Sequence, residues 1–493
     1  MVNPTHEQTE AIDAYGDGTD LVLQAGAGCG KSATLKMIAK ADPNTQMIYV
    51  AYNKSIATDA ARSFPRNASC STAHSLAFQA IGKTYAHRLS GPRQTAHKAA
   101  VLVGVTDLVG PGIPKIMGDL GDTVAMPSKR IMRYALETLT NWCYSADPEV
   151  AARHIPRKPN LRLPATIQQI AELVLPVARA AWRDLLKPDG VLKFQHDHYL
   201  KMWQLGAPRL ATDVVLLDEA QDTNDVVAAV IGGQEHTQRI VVGDSAQQIY
   251  EWRGASDALA KFAAAGAQVQ TLSQSFRFGP AIAEAANRWL YVVGTDLRLR
   301  GFEPLDSRLD TLTNPDAVLC RTNAGAMEVV MDALARKVRV ALVGGGSEMK
   351  RLAEAAAALQ AGRNTDHPEL MAFATWDQVR QYAEEEADGA DLRVLVRLVD
   401  AHGPAVIVAA TEQLVSEDQA DLVVSTAHRS KGREWPRVRI HDDFRAPSAD
   451  PSTGLVTIRR EEARLAYVAV TRAREVLDDR ALSWLDQVKA VAA

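Results

Sequence analysis

Leu21-Val-Leu-Gln24 runs directly into Ala25, Gly26, Ala27, Gly28, Cys29, Gly30, Lys31 and Ser32, and a helical pattern, Lys31–Lys40, begins without a gap. No other stretch restricts the fold as much. A short apolar strand, a glycine-rich turn and a helix, in that order, open a parallel α/β sheet. The glycines let backbone N–H groups curl around an anion, and the helix N-terminus faces it. Lys31 suits contact with β- and γ-phosphates, and Ser32 suits ligation of Mg2+. The strict phosphate-loop pattern has Gly where Ala25 stands. The plainer alternative is a glycine-rich turn with no ligand, and the Gly-Lys-Ser ending speaks against it.

Leu216-Leu-Asp-Glu-Ala-Gln-Asp222 ends a second apolar strand in paired carboxylates. Asp218 suits the outer shell of Mg2+, and Glu219 suits activation of an attacking water. Acidic residues after a strand also serve as turn or cap residues. Lying 187 residues after Lys31, the pair instead points to a nucleoside triphosphatase. A third strand, Ile240-Val-Val242, leads into Gly243-Asp-Ser-Ala-Gln-Gln-Ile-Tyr-Glu-Trp-Arg-Gly-Ala255. Gln247 and Trp252 are at most ~17 Å apart in an extended chain. An amide able to sense a phosphate and an indole able to stack on a base thus share one short segment.

Short β-rich runs at 21–24, 47–51, 214–217 and 240–242 alternate with helical stretches such as Lys31–Lys40 and Ile56–Phe64. Val318–Cys320, Val338–Val343, Asp421–Val424 and Val438–Ile440 repeat the theme, which predicts two α/β cores with parallel sheets. Residues 86–205 have helical periodicity and no clear strand. Residues 346–420 are also helical in pattern (Met349–Leu359, Trp376–Glu386, Asp391–Ala401) and carry an acidic patch, Glu384–Asp391. The expected organisation is a first core from 1–85 and 206–275 with a helical insertion at 86–205. A second core follows from 276–345 and 421–493, with a small helical insertion at 346–420.

The 493 residues are too many for one core. No apolar run approaches the ~20 residues needed to span a bilayer, and Met1–Gln8 has no signal pattern. The expectation is a cytoplasmic protein with no membrane partner, nucleoid-associated or working in an infected host cell. Cys29, Cys70, Cys143 and Cys320 form no CxxC pair, so a zinc site, an iron–sulfur cluster or a disulfide framework is not expected. The net charge of −4 argues against a nucleic-acid binder, but residues 86–209 hold 17 Lys and Arg against 10 Asp and Glu, a local +7. A footprint for a polyanion and an unevenly charged solvated surface fit these numbers equally well.

Together these pieces resemble the superfamily 1A helicases of the UvrD/Rep type, in which Ala at the first loop position is usual. Asp-Glu-Ala-Gln-Asp at 218–222 and the Gly243–Ala255 segment are the most specific matches. Tyr52-Asn53-Lys54 and Thr72-Ala-His-Ser75 resemble the early DNA-contacting motifs. Ser273–Arg277, Ser425–Trp435 and Arg464–Ala473 resemble motifs IV, V and VI. Tyr52–Ala57, Phe64-Pro65, Ala73–Ala77 and Gln274–Gly279 are similar to the helicase core of the F-box DNA helicase family, and the expectation is a bare motor without an F-box.

The resemblance implies two RecA-like cores, ATP and Mg2+ as cofactors, and 3′→5′ movement on single-stranded DNA in repair, recombination or replication. It implies that Gln8 reads adenine and Phe276 stacks on it, that Gln247 senses the γ-phosphate, and that Arg277 and Arg472 reach that phosphate from the second core. Glu434 would approach the ribose. A nucleotide bound between two cores would close the cleft, and hydrolysis would let it open.

Stacking on aromatic faces and phosphate contacts grip a single strand. Tyr52, Tyr250 and Trp252 are stacking candidates. Lys54, Thr72, His74, Arg253, Thr426 and His428 are candidates for phosphate contact or for relaying nucleotide state, with Asn53 in the same early motif. Isolated aromatics more often pack in cores. Trp252 between Glu251 and Arg253 does not read as core, Tyr250 fits packing on the adenine side as well, and His428 fits a coupling or structural role better than a general base.

Two departures stand out. Trp435 replaces a common Phe. The second insertion has room for about 75 residues after Gly345, whereas UvrD/Rep enzymes carry well over a hundred, so strand separation by another route, or translocation alone, is open. Expected partners are single-stranded DNA, single-strand/duplex junctions, and recombinase or single-strand-binding proteins, with the chain active as a monomer. A nucleoprotein remodeller that strips recombinase filaments is the alternative. A non-hydrolysing ATP-gated binding module and a superfamily 1B RNA helicase fit less well.

Overall fold

The computed structural model describes the chain except residues 1–3, 93, 110–124, 157–163, 251–255, 366, 368, 372, 386–389, 445, 448–455, 488–490 and 493. Contacts divide it into two compact units. One holds Met1–Gln24 and Lys31–Gln270; the other holds Ala25–Gly30 and Thr271–Ala493.

The first unit is built on six strands: β1 (Leu21–Ala25), β2 (Met47–Ala51), β3 (Ala68–Thr72), β4 (Val214–Leu217), β5 (Gln238–Gly243) and β6 (Gln268–Leu272). Their order is β3-β2-β4-β5-β1-β6. The pairings of β1 with β5, β2 with β3 and β4, and β4 with β5 are parallel. A parallel sheet covered on both faces reads as continuous apolar sequence, and β4 is buried along its whole length. The outer strands differ: β3 and β6 mix buried with partly or fully exposed positions. Because the paired strands run the same way, the loops after β1, β2, β3, β4 and β5 emerge along one edge. That edge carries the phosphate loop, Tyr52, Thr72, Asp218 and Asp244.

Between β3 and β4 the chain is mainly helical. Helix Ser128–Tyr144 turns Ile131, Met132, Ala135, Leu139, Trp142 and Cys143 inward at three- and four-residue spacing, in a core shared with Val174, Ala178, Ala181 and Leu185 of helix Pro164–Leu185. A two-residue antiparallel pairing, Leu108–Val109 with Ala125–Met126, adds a strand element that the periodicity does not announce.

Helix His196–Leu205 buries His198 edge-on against Trp182 and Phe194. Its Nδ1 accepts the Gln195 backbone N–H at 3.1 Å, which requires the uncharged side. Burial pushes its pKa down to about 4, against the pull of Asp197. The depressed value favours the neutral ring, so folding is penalised once the unfolded chain takes up a proton that the folded chain refuses. Stability should therefore fall as pH drops from about 6.5 to about 4, by up to about 3 kcal/mol. Urea unfolding at pH 7 and pH 5 should show this fall, and His198→Phe should remove its share. An unchanged pH dependence in His198→Phe would refute the assignment.

The second unit carries β7 (Arg308–Leu309), β8 (Ala317–Cys320), β9 (Val340–Leu342), β10 (Leu422–Thr426), β11 (Trp435–Ile440) and β12 (Ala473–Asp478), in the order β9-β10-β8-β11-β12-β7. All five pairings are parallel. Helices Ser347–Gln360, Trp376–Glu385, Ala390–His402 and Pro404–Thr411 lie between β9 and β10. They share a core of Leu352, Leu359, Trp376, Val379, Leu395, Leu398 and Ile407. Among the described residues no single helix is long and apolar enough to cross a membrane; the bent pair Leu392–His402 and Pro404–Thr411, at 97°, meets the length and composition test only together.

Candidate nucleotide and strand site

In the first unit, the candidate hydrolytic residues of the loop edge converge. Ser32, on the first turn of helix Lys31–Ala41, donates from Oγ to Asp218 Oδ2 at 2.8 Å. The Tyr49 hydroxyl of β2 donates to the same oxygen at 2.6 Å. Burial raises the Asp218 pKa, and the neighbouring Glu219 charge adds to that, while Tyr49, Lys31 and Ser32 oppose it. Lys31 Nζ lies 3.4 Å from Glu219 Oε1. Glu219 itself has φ 51° and ψ 44°, the left-handed region that a non-glycine residue occupies at a cost of about 1–2 kcal/mol. This backbone turn goes with a carboxylate set toward Lys31. Ser32 and Asp218 are hard oxygen donors of the type Mg2+ takes, and the fit to that ion is good.

Gln221 is the residue that sequence reasoning quotes without giving it a role. Its side chain is fully buried. Nε2 donates to Glu219 Oε2 at 2.5 Å, and Oε1 accepts the Asp244 backbone N–H at 3.0 Å. Asp244 Oδ2 accepts in turn from Gln247 Nε2 at 2.7 Å. A continuous chain of hydrogen bonds therefore runs from the candidate base to the candidate phosphate sensor. Three residues beyond Gln247, the described part of the segment ends at Tyr250, whose ring lies 6.4 Å from that of Tyr52 at an interplanar angle of 11°. Tyr52 is exposed. Near-parallel rings at that spacing present two stacking faces.

Gly243 is needed for this chain of bonds. A Cβ there would sit 2.2 Å from Gln221 Oε1 and 2.9 Å from Leu259 Cδ1. Gly243→Ala is expected to displace Gln221 and to lower kcat for ATP by about tenfold or more, with a loss of stability of about 1–3 kcal/mol. Steady-state hydrolysis and urea unfolding check both, and a variant with normal kcat would show that the Gln221 link is dispensable.

The remaining strand candidates of this unit divide. Asn53 and Thr72 are helix caps: their side chains accept the backbone N–H of Ile56 and Ser75. Lys54 is exposed. His74 is half-exposed, and its Nε2 lies 3.0 Å from Asp197 Oδ1. Gln8 is buried, closes a capping box with Thr5 and donates to Thr34 Oγ1 at 3.2 Å. Trp252 and Arg253 lie outside the described residues.

The second unit gathers another set. Gly28, at φ 75°, could not carry a Cβ without meeting Ser275 Oγ at 2.6 Å and Arg277 Cβ at 2.7 Å. The Ala27 N–H donates to the Tyr467 hydroxyl at 3.1 Å, and its carbonyl accepts from Ser275 Oγ at 2.9 Å. Ala25, Ala27 and Cys29 are buried, and Cys29 Sγ lies 3.8 Å from the Ala27 carbonyl. Gly26 leaves no room for a side chain against Leu299, and Gly30 has φ 75°. Arg277 donates from Nε to Glu434 Oε2 at 2.7 Å and from Nη1 to the Thr471 carbonyl at 3.0 Å, so two residues with separate expected roles are paired with each other. Arg472 is buried, with hydrogen bonds to the Val468 and Arg433 carbonyls and to Thr471 Oγ1. Phe276 is exposed, and its ring centroid lies 5.7 Å from that of Phe302. Thr426 is buried and caps the turn that carries His428, accepting from the Arg429 N–H.

Cys320, His441 and Asp443 bring possible ligand atoms within 4.8 Å of one another. Both Asp443 oxygens already accept the backbone N–H groups of Arg321 and Thr322. The cluster braces the turn after β8.

Two parallel α/β sheets, one with the Lys31 and Ser32 of a phosphate-loop sequence against a strand-end carboxylate pair, define a P-loop triphosphatase of two RecA-like cores. Residues 8–253 match the AAA domain family, and residues 374–478 match the UvrD-like helicase C-terminal domain. The chain is 26% identical to F-box DNA helicase protein 1 of Schizosaccharomyces pombe, over 96% of this chain and 57% of that protein. It is 27% identical to F-box DNA helicase 1 of Gallus gallus, over 97% of this chain and 49% of that protein. The chain thus spans about half the length of the curated relatives it matches. Together these matches support a UvrD-like superfamily 1 helicase.

Proposed function

We propose that the chain is an ATP- and Mg2+-dependent motor that moves 3′→5′ on single-stranded DNA. The polarity rests on the resemblance to superfamily 1A, and one observation supports the coupling of hydrolysis to strand grip: the hydrogen-bonded path Glu219–Gln221–Asp244–Gln247 leads into the segment whose Tyr250 stands parallel to Tyr52. Candidate chemistry at one end and candidate stacking at the other belong to one edge of the sheet. A change in the phosphate sensed by Gln247 can therefore alter the grip on a base.

In this mechanism Lys31 neutralises charge on the β- and γ-phosphates, and Glu219 takes the proton of the attacking water. Ser32 and Asp218 would hold Mg2+, which would supply charge neutralisation at the transferred phosphoryl group. Gln221 holds the Glu219 carboxylate in place, and Lys54 and His74 contact strand phosphates.

Strand displacement from 3′-tailed, 5′-tailed and blunt duplexes tests the proposal. Unwinding of the 3′-tailed duplex alone is the expected result, and preference for a 5′ tail overturns the polarity. The second reading, removal of a recombinase filament with little unwinding, is favoured by the small helical segment 347–411. ATP-dependent loss of bound recombinase without strand displacement would select it.

A further inference from the structure

Among the described strand candidates, His74 has its side chain tied to the helical region between β3 and β4. Its Nε2 lies 3.0 Å from Oδ1 of Asp197, on the first turn of helix His196–Leu205. The other carboxylate oxygen, Oδ2, accepts from the Tyr144 hydroxyl at 3.4 Å. The Tyr199 ring meets the imidazole edge-on at 6.3 Å and 85°, and the Tyr199 hydroxyl bonds His196 Nδ1 at 2.9 Å. Asp197 is three-quarters covered, while the His74 side chain keeps 41% of its surface open. The anchoring group is thus inside and the anchored ring faces out. Burial works against ionisation of Asp197, but the His74 bond and charge, with smaller contributions from His198 and the Tyr144 hydroxyl, outweigh it, so its pKa stays below the usual carboxylate range.

An ionised carboxylate only accepts hydrogen bonds. Nε2 of His74 must therefore carry a hydrogen, which fixes the ring's orientation and leaves Nδ1 for a ligand. A strand phosphate offers only acceptors, so it needs a donor at Nδ1. The ring with both nitrogens protonated supplies one, and Asp197 offsets its charge. The register of β2 with β3 sets Ala51 beside Thr72. Tyr52 and His74 therefore follow neighbouring strand ends, a stacking face and a phosphate donor side by side.

We propose that Asp197 is a positioning residue for strand binding: it holds the His74 ring by Nε2, in the orientation that leaves the protonated Nδ1 to grip a backbone phosphate, and offsets the ring's charge. The inference rests on the reading of this edge as a track for single-stranded DNA. It gives the helical region a direct part in strand grip through one carboxylate.

The test is fluorescence anisotropy of a labelled oligo-dT across a salt series, without nucleotide, for wild type, Asp197→Asn, His74→Gln and the double variant. Asp197→Asn is isosteric and keeps an acceptor, but it loses the charge that offsets the protonated ring. Each single variant is expected to weaken binding about fivefold and to reduce the salt slope by about 0.7, the contribution of one phosphate contact on a single strand. The double variant should bind no more weakly than either single variant, because both remove the same contact. An unchanged salt slope in Asp197→Asn, or losses that multiply in the double variant, overturns the inference and marks Asp197 as a packing residue. Should Asp197→Asn fail to fold, His74→Gln alone decides, since an unchanged slope there removes the contact Asp197 is said to position. Failure of the wild-type chain to bind oligo-dT sinks the DNA-track reading itself, a result distinct from any of these.

Discussion

Glu219→Gln is expected to bind ATP with near-normal affinity and to turn it over about a thousandfold more slowly. General-base catalysis contributes about 10²–10⁴ in rate, and that role is the largest one the substitution removes. Glutamine keeps the side-chain length and can still present an oxygen to Gln221 Nε2, now 2.5 Å from Glu219 Oε2. The path to Asp244 and Gln247 therefore survives. What disappears is the proton acceptor and its attraction to Lys31 at 3.4 Å. The left-handed backbone at this position, φ 51° and ψ 44°, is unchanged by the substitution, so stability should move little. Single-turnover hydrolysis, with fluorescent-nucleotide binding alongside, checks both halves. A kcat within threefold of wild type would remove Glu219 from the base role. Loss of nucleotide binding would instead mean that its charge holds the loop open.

Glu219 also marks where sequence alone reaches and where it stops. The phosphate loop and the carboxylate pair are legible because the chemistry fixes residue type and local spacing, and the strand before each is a continuous apolar run. β4 and the inner half of β5 are buried on both faces and read at once. Ala68–Thr72, Gln268–Leu272 and Ala473–Asp478 are not legible as strands, because each mixes polar and apolar residues with partly exposed positions. Gln221 sits in plain view inside Asp-Glu-Ala-Gln-Asp, but its role depends on Asp244, 23 residues away. The Asp197–His74 pair spans 123 residues and has no local signature at all. Glu434 and Arg277, 157 residues apart, can each be given a ligand by resemblance, yet only the fold shows that they hold each other.

Lys31→Ala should abolish measurable ATP turnover, by about a thousandfold or more, while the chain still binds single-stranded DNA. The lysine stands at the first position of helix Lys31–Ala41, where its charge adds to the helix dipole in neutralising phosphate. The proposed strand track depends on other contacts, Tyr52 against Tyr250 and His74 against Asp197. The substitution also has a structural consequence. Lys31 and Glu219 are mostly covered, at 13% and 22% side-chain exposure, and Asp218 beside them is buried with its pKa already raised. Removing the cation leaves two adjacent carboxylates without the Lys31 charge. A loss of about 1 kcal/mol is expected, less than for a fully buried pair because solvent still reaches both Lys31 and Glu219. Adding Glu219→Gln to Lys31→Ala should restore most of that stability while leaving the enzyme inactive, since the double variant removes the repulsion as well as the base. Urea unfolding of the four proteins, wild type, two singles and the double, closes the cycle. Additive losses would show that Lys31 and Glu219 do not interact in the folded chain, and residual turnover in Lys31→Ala above about one-tenth of wild type would reject the phosphate loop as the nucleotide site.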